Sequence, residues 1–130
     1  MMVTSGFAQV NGARLYFEVQ GSGPVVVLLG DDSETSNSPF DFLAESFQVI
    51  RYDMRGSGKS SKINDLPVSH IEDLLELLDH LSIREVMLAE LTPRATIAEE
   101  FAAEYPARVL AIAGVETLLH TIRESGPSLL

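Results

Sequence analysis

Val25-Val26-Val27-Leu28-Leu29 is an unbroken apolar run, entered through the turn formers Gly21-Ser22-Gly23-Pro24 and left through Gly30. Five residues without polar alternation leave no face for water, so the run reads as a strand buried on both faces, as in a parallel sheet covered by helices. Residues 47–52, 86–88 and 109–115 repeat that character. Upstream, Asn11-Gly12 is a strong hairpin-turn signal, and the alternating stretch around Tyr16, Phe17 and Val19 suits a half-exposed strand. An antiparallel pair, 7–10 with 15–20, therefore opens the fold.

Between the apolar runs lie segments with readable helix starts. Ser38-Pro39 places a cap residue before a first-turn proline, and Ser69 with Glu72 forms a capping box. Ile71, Leu74, Leu75, Leu78 and Leu81 then make one apolar stripe. Residues 92–105 predict a third helix presenting Ile97, Ala98, Phe101, Ala102 and Tyr105 and stopped by Pro106; a fourth runs over 116–125. Strands alternating with helices imply a three-layer α/β/α domain around a mostly parallel sheet of about six strands, with an antiparallel amino-terminal hairpin. One domain spanning 1–130 is expected from the length.

The composition, 45% hydrophobic and 22% charged, is that of a globular protein, and no apolar stretch approaches the roughly 20 residues of a membrane span. With no cysteine there is no disulfide, thiolate metal site or cysteine nucleophile. The formal charge of −10 repels phosphate backbones and anionic lipid, which argues against nucleic acid or a membrane as partner. No secretion signal opens the chain, and a cytoplasmic location is expected.

Several motifs resemble the α/β-hydrolase superfamily, in order and spacing, from residue 10 to about 115. They are Val10-Asn11-Gly12 with Leu15-Tyr16-Phe17-Glu18, Gly21-Ser22-Gly23-Pro24 before the apolar run, and Val49-Ile50-Arg51-Tyr52-Asp53-Met54-Arg55-Gly56-Ser57-Gly58-Lys59-Ser60. Glu72-Asp73-Leu74 and Glu104-Tyr105-Pro106-Ala107-Arg108-Val109 continue the series. The resemblance implies the amino-terminal half of that fold, a minimal form without the cap or the last strands, which in the family supply the acid and histidine of the triad.

It also implies a nucleophile turn at Glu90-Leu91-Thr92-Pro93-Arg94, with Thr92 on the nucleophile position. This version departs from the pattern. Pro93 has no N–H to serve as oxyanion donor, and Glu90 and Arg94 stand where glycines are expected. A β-branched residue resists the positive φ of such a turn, so Thr92 reads better as a helix N-cap with Pro93 as first helical residue. In the oxyanion loop, Gly30-Asp31-Asp32 replaces histidine and glycine, and a carboxylate pair there opposes a developing oxyanion.

Other chemistries compete for the same residues. Thr92, Glu116 and His120 form a compressed triad if they converge at the carboxyl ends of neighbouring strands; the competing account is an exposed Glu–His pair on one helix. His70 and His80 flank the second helix and read as surface or terminal residues. Gly58-Lys59-Ser60 suggests a phosphate loop, but Asp53 stands where the first glycine belongs, so the stretch reads as a structural loop anchored by Asp53 and Arg55. Asp31, Asp32, Asp53, Glu90 and Glu116 near strand ends would suit a hard cation, were they not matched by Arg55, Lys59 and Arg94; no metal or other cofactor is expected.

The sequence thus points to a hydrolase-like fold without the usual hydrolytic machinery, acting as a small binding module. Its ligand edge comprises Gly30, Asp31, Asp32, Glu90 and Arg94, and a small molecule is the expected ligand. The alternatives are a weak esterase using Thr92 and a portion of a longer hydrolase. A homodimer is expected through the edge strand at 109–115, covered by Leu118, Leu119, Ile122 and Leu129-Leu130.

Overall fold

The computed structural model describes residues 3–31, 33, 39–62, 69–91 and 97–125, the last five for backbone alone. The chain opens with β1 (Val3–Val10) and β2 (Ala13–Gln20), antiparallel in unbroken register from Val3 opposite Gln20 to Val10 opposite Ala13. Asn11 and Gly12 close the hairpin at φ 45° and 81°. Two central residues at positive φ give a turn whose twist matches the strands, which is what Asn-Gly favours. The hairpin is longer than the 7–10 and 15–20 expected, because backbone pairing carries the polar, exposed start of β1 where side-chain alternation gives no signal.

There follow β3 (Val25–Leu29), α1 (Phe40–Leu43), β4 (Gln48–Tyr52), α2 (His70–His80), β5 (Val86–Glu90), α3 (Ile97–Glu104), a 3-10 turn at Pro106–Arg108, β6 (Val109–Gly114) and α4 (Val115–Ser125). The sheet order is β1-β2-β4-β3-β5-β6; β2 meets β4 antiparallel, and the pairs of β3 with β4, β3 with β5 and β5 with β6 are parallel. This is the expected six-stranded, mostly parallel sheet with an antiparallel hairpin.

Two cores flank the sheet. On one face Val27, Leu29, Ile50 and Leu88 pack with Ile71, Leu74, Leu77 and Leu78 of α2 and Ala98 and Phe101 of α3. On the other, Val26, Leu28, Val49 and Met87 pack with Phe40 and Leu43 of α1 and Val115 and Leu118 of α4. Each fully buried Leu or Phe contributes roughly 1.5–3 kcal/mol by leaving water. Residues 26–29 are therefore buried on both faces of the sheet because alternate residues serve opposite cores.

Local differences from expectation have physical reasons. Within α2 the buried face includes Leu77, while Leu75 and Leu81 are half-buried at its margin. Ser69 does cap this helix, accepting the Glu72 N–H at 3.2 Å, while the Glu72 carboxylate accepts the Tyr105 hydroxyl proton. Pro39 occupies the N-cap position of α1 instead of its first turn; Ser38 lies outside the described residues. The last strand ends at Gly114, and Val115 begins α4. β6 is not buried on both faces: it is the outer strand, with Leu110 and Ile112 exposed. Leu118 and Leu119 pack in the core on the α1 and α4 face of the sheet, beside Ala111 of β6; the side chain of Ile122, and Leu129 and Leu130, lie outside the described residues.

Candidate functional site

The chain runs from β3 through α1 to β4 on one side, then through α2 to β5 on the other side of β3. The strand order reverses between β3 and β5, with α1 and α2 on opposite faces, and open α/β sheets receive ligands at such a reversal; beside it lie the carboxyl ends of β3 and β4. A cleft of about 90 Å³ lies there, lined by Leu28, Gly30, Asp31, Tyr52, Met54 and Ser57. It has room for about three waters.

Gly30 leaves β3 at φ 90°, a conformation that favours glycine, and so turns the chain into the cleft. The next side chain, Asp31, is completely buried, with Oδ2 3.6 Å from Nη1 of Arg51. Arg51 also donates from Nε to Glu18 Oε1 at 2.6 Å, and its guanidinium carbon lies 4.4 Å over the Phe40 ring. Burial works against the Arg51 charge, but the hydrogen bond and charge of Glu18, with those of Asp31, outweigh it and raise its pKa above the ordinary arginine value. The Tyr16 hydroxyl donates to the other Glu18 oxygen at 2.6 Å. The buried carboxylate after Gly30 thus shares Arg51 with a second carboxylate, from β2.

The loop after β4 is built around Asp53. Its carboxylate accepts the Ser33 N–H and hydroxyl at 2.6 Å each and the Lys59 N–H at 2.7 Å. Gly58, at φ 52°, passes so close that a Cβ would overlap that carboxylate. The glycine-rich stretch therefore wraps an internal anion where a phosphate loop would wrap a nucleotide's. Arg55 anchors the same loop: it binds Asp73 through two hydrogen bonds and donates to the carbonyls of Val10 and Asn11. Below it the Tyr52 phenol is buried without a hydrogen-bond partner among the described residues, and burial, with the charge of Asp73, raises its pKa.

Of the residues expected at the site, Gly30 and Asp31 line the cleft, and Glu90 is the half-buried last residue of neighbouring β5. Asp32, Thr92 and Arg94 lie outside the described residues. Glu116 and His120 are exposed on α4 and do not line the cleft. His70 is half-buried at the start of α2, and His80, at its end, sets its ring edge-on to Phe17. Among the described residues no three His, Asp or Glu gather as metal ligands, and no helix is long and apolar enough to cross a membrane. Sequence reasoning missed Arg51; its one signal was a charge inside the apolar run Val49-Ile50-Arg51-Tyr52.

No family model matches the chain. It is 27% identical over 116 residues to the uncharacterized hydrolase YraK of Bacillus subtilis, covering 84% of this chain and 43% of that protein. It is 33% identical over 123 residues to an epoxide hydrolase of Caballeronia sordidicola, covering 88% of this chain and 37% of the relative. The chain thus spans less than half the length of these relatives. Among solved structures, the epoxide hydrolase CorEH without ligand superposes with a TM-score of 0.73 at 27% identity, over 87% of this chain and 42% of that one. With the strand order, the opposed helices and the loop motifs in place, these likenesses put the chain in the α/β-hydrolase fold superfamily.

Proposed function

We propose that this chain is a ligand-holding module on a hydrolase fold and that it does not cleave esters. The observation that carries this is the buried Asp31 side chain directly after Gly30, in the loop where the fold would place donors for an oxyanion. A carboxylate roughly 4 Å from a developing oxyanion opposes it by about 4 kcal/mol at an effective dielectric of about 20, close to a thousandfold in rate. Arg51 offsets part of this, but it is shared with Glu18. Pro93, which lacks an N–H, removes a donor at the next position that would supply one. The ligand is a small molecule, or the small polar end of one, sized to the cleft beside Gly30, Asp31 and Ser57. In the same reading the chain pairs with a second copy along β6, where Leu110 and Ile112 stand exposed.

A second reading is favoured by the relatives, one of which is named as an epoxide hydrolase: weak hydrolysis using Thr92, with Glu116 and His120 as partners. One experiment separates the two. The 130-residue chain is assayed with p-nitrophenyl acetate, p-nitrophenyl butyrate and styrene oxide beside Thr92→Ala. We expect no turnover above buffer; turnover that disappears in Thr92→Ala overturns the proposal. Binding is read by amide NMR against a fragment library, with shifts expected at Gly30, Asp31, Met54 and Ser57. A library that moves none of them removes the ligand part.

A further inference from the structure

β1 is the outer strand at the hairpin end of the sheet, so one backbone edge of Val3–Val10 faces away from β2. Outer strands are ordinarily guarded by charge, proline or a bulge. This one has none: Val3–Val10 contains no charged residue and no proline, and its pairing with β2 runs without a register break. Val3 and Phe7 are exposed at 45% and 44%, and their even spacing puts both on one face of the strand.

Cations border that face. The Arg14 guanidinium carbon lies 4.5 Å over the Phe7 ring, the Phe7 and Tyr16 rings are 5.4 Å apart, and the Lys59 Nζ lies 4.4 Å over Tyr16. Lys62 follows Ser61, whose N–H and hydroxyl are hydrogen-bonded to the Arg14 backbone. Among the described residues none of these three cations has a carboxylate within ion-pair distance. In a chain with nine Lys and Arg against nineteen Asp and Glu, that is a local patch of opposite sign.

We propose that β1 takes an extended acidic segment of a partner protein as an added strand. The main chains pair along the free edge, apolar side chains of the segment pack beside Val3 and Phe7, and its carboxylates meet Arg14, Lys59 and Lys62. Charge selects this occupant. A second copy laid along β1 would bring Val3–Val10, a strand with no carboxylate to meet these cations, whereas an acidic strand is attracted to them. The two ring-seated cations are already held in place, so less rotamer freedom is lost on contact. The overall charge of −10 acts only weakly beyond the Debye length of roughly 8 Å at physiological salt, while the patch acts at contact.

The test uses the 130-residue chain and two fluorescein-labelled octapeptides, alternating glutamate with valine and lysine with valine. We expect the acidic peptide to bind at least tenfold more tightly, Arg14→Glu and Lys59→Glu each to weaken it at least tenfold, and hydrogen exchange to slow in β1. Both cations are exposed, and circular dichroism verifies that the variants fold. Equal binding of the two peptides, no binding up to about 1 mM, insensitivity to both substitutions, or unchanged exchange in β1 would each overturn the proposal. So would a dimer that Phe7→Glu dissolves and Ile112→Lys does not, since the occupant would then be a second copy.

Discussion

Arg55 and Asp73 form a two-point pair, Nε to Oδ2 and Nη2 to Oδ1, both at 3.0 Å and both side chains almost wholly buried. Asn11 Nδ2 adds a third contact to the same carboxylate at 3.1 Å, and Arg55 also reaches the carbonyls of Val10 and Asn11. One ion pair thus joins the hairpin turn, the loop after β4 and the first turn of α2. Breaking a buried pair by removing one partner leaves the other charged and unsatisfied. Arg55→Ala and Asp73→Ala should each lose about 3–5 kcal/mol in urea unfolding. The double variant should be less unstable than the two losses added, because the second removal deletes the stranded charge.

Gly58→Ala should be destabilising out of proportion to one methyl group. The residue sits at φ 52°, and a Cβ there meets the Asp53 carboxylate that holds Ser33 and Lys59. The left-handed conformation alone costs about 1–2 kcal/mol in a residue with a side chain. A thermal midpoint lower by about 5 °C or more is expected, and an unchanged midpoint would contradict the described loop.

Tyr105 carries a pH dependence. Its hydroxyl donates to Glu72; that hydrogen bond first, then burial and the charges of Glu72, Glu104 and Glu76, push its pKa up to about 12 from the usual 10. A phenol whose folded pKa is raised gives stability that is present in full below pH 10 and lost as pH rises toward about 12. Absorbance at 295 nm should show this tyrosine ionising near the upper value, and Tyr105→Phe should remove that step. With Glu72→Gln the step should move down.

The proposed pairing along β6 predicts a mass of twice 14.2 kDa by light scattering at micromolar concentration. Ile112→Lys places a charge on the exposed edge and should return the monomer. A wild-type monomer removes this part of the proposal.

Much of this fold is legible in local sequence because local physics dictates it. Asn11-Gly12 specifies its hairpin through backbone φ, Ser69 specifies the start of α2 through a hydrogen bond three residues away, and Val25-Val26-Val27-Leu28-Leu29 specifies a central strand by leaving no polar face. The hydrolase motifs then order these pieces. Side-chain patterns fail where backbone pairing supplies the energy, as in the polar start of β1, and where tertiary packing decides which leucines of a helix are buried, as at Leu77.

The site was legible only in part. Gly30, Asp31 and Glu90 fall on the carboxyl edge because strand ends can be counted from sequence. Arg51 lies between Glu18 of β2 and Asp31 of the loop after β3; Ser33 reaches Asp53 across twenty residues, and Arg55 reaches Asp73 across eighteen. Sequence by itself determined the main elements and their order, since propensity, turn chemistry and hydrophobic period act over a few neighbours. Tertiary structure alone decided which charges neutralise one another, that Asp53 occupies its own glycine-rich loop, and that Leu118 serves the core. Coulomb energy and burial depend on distances through space, and those exist only after the sheet has set its strand order.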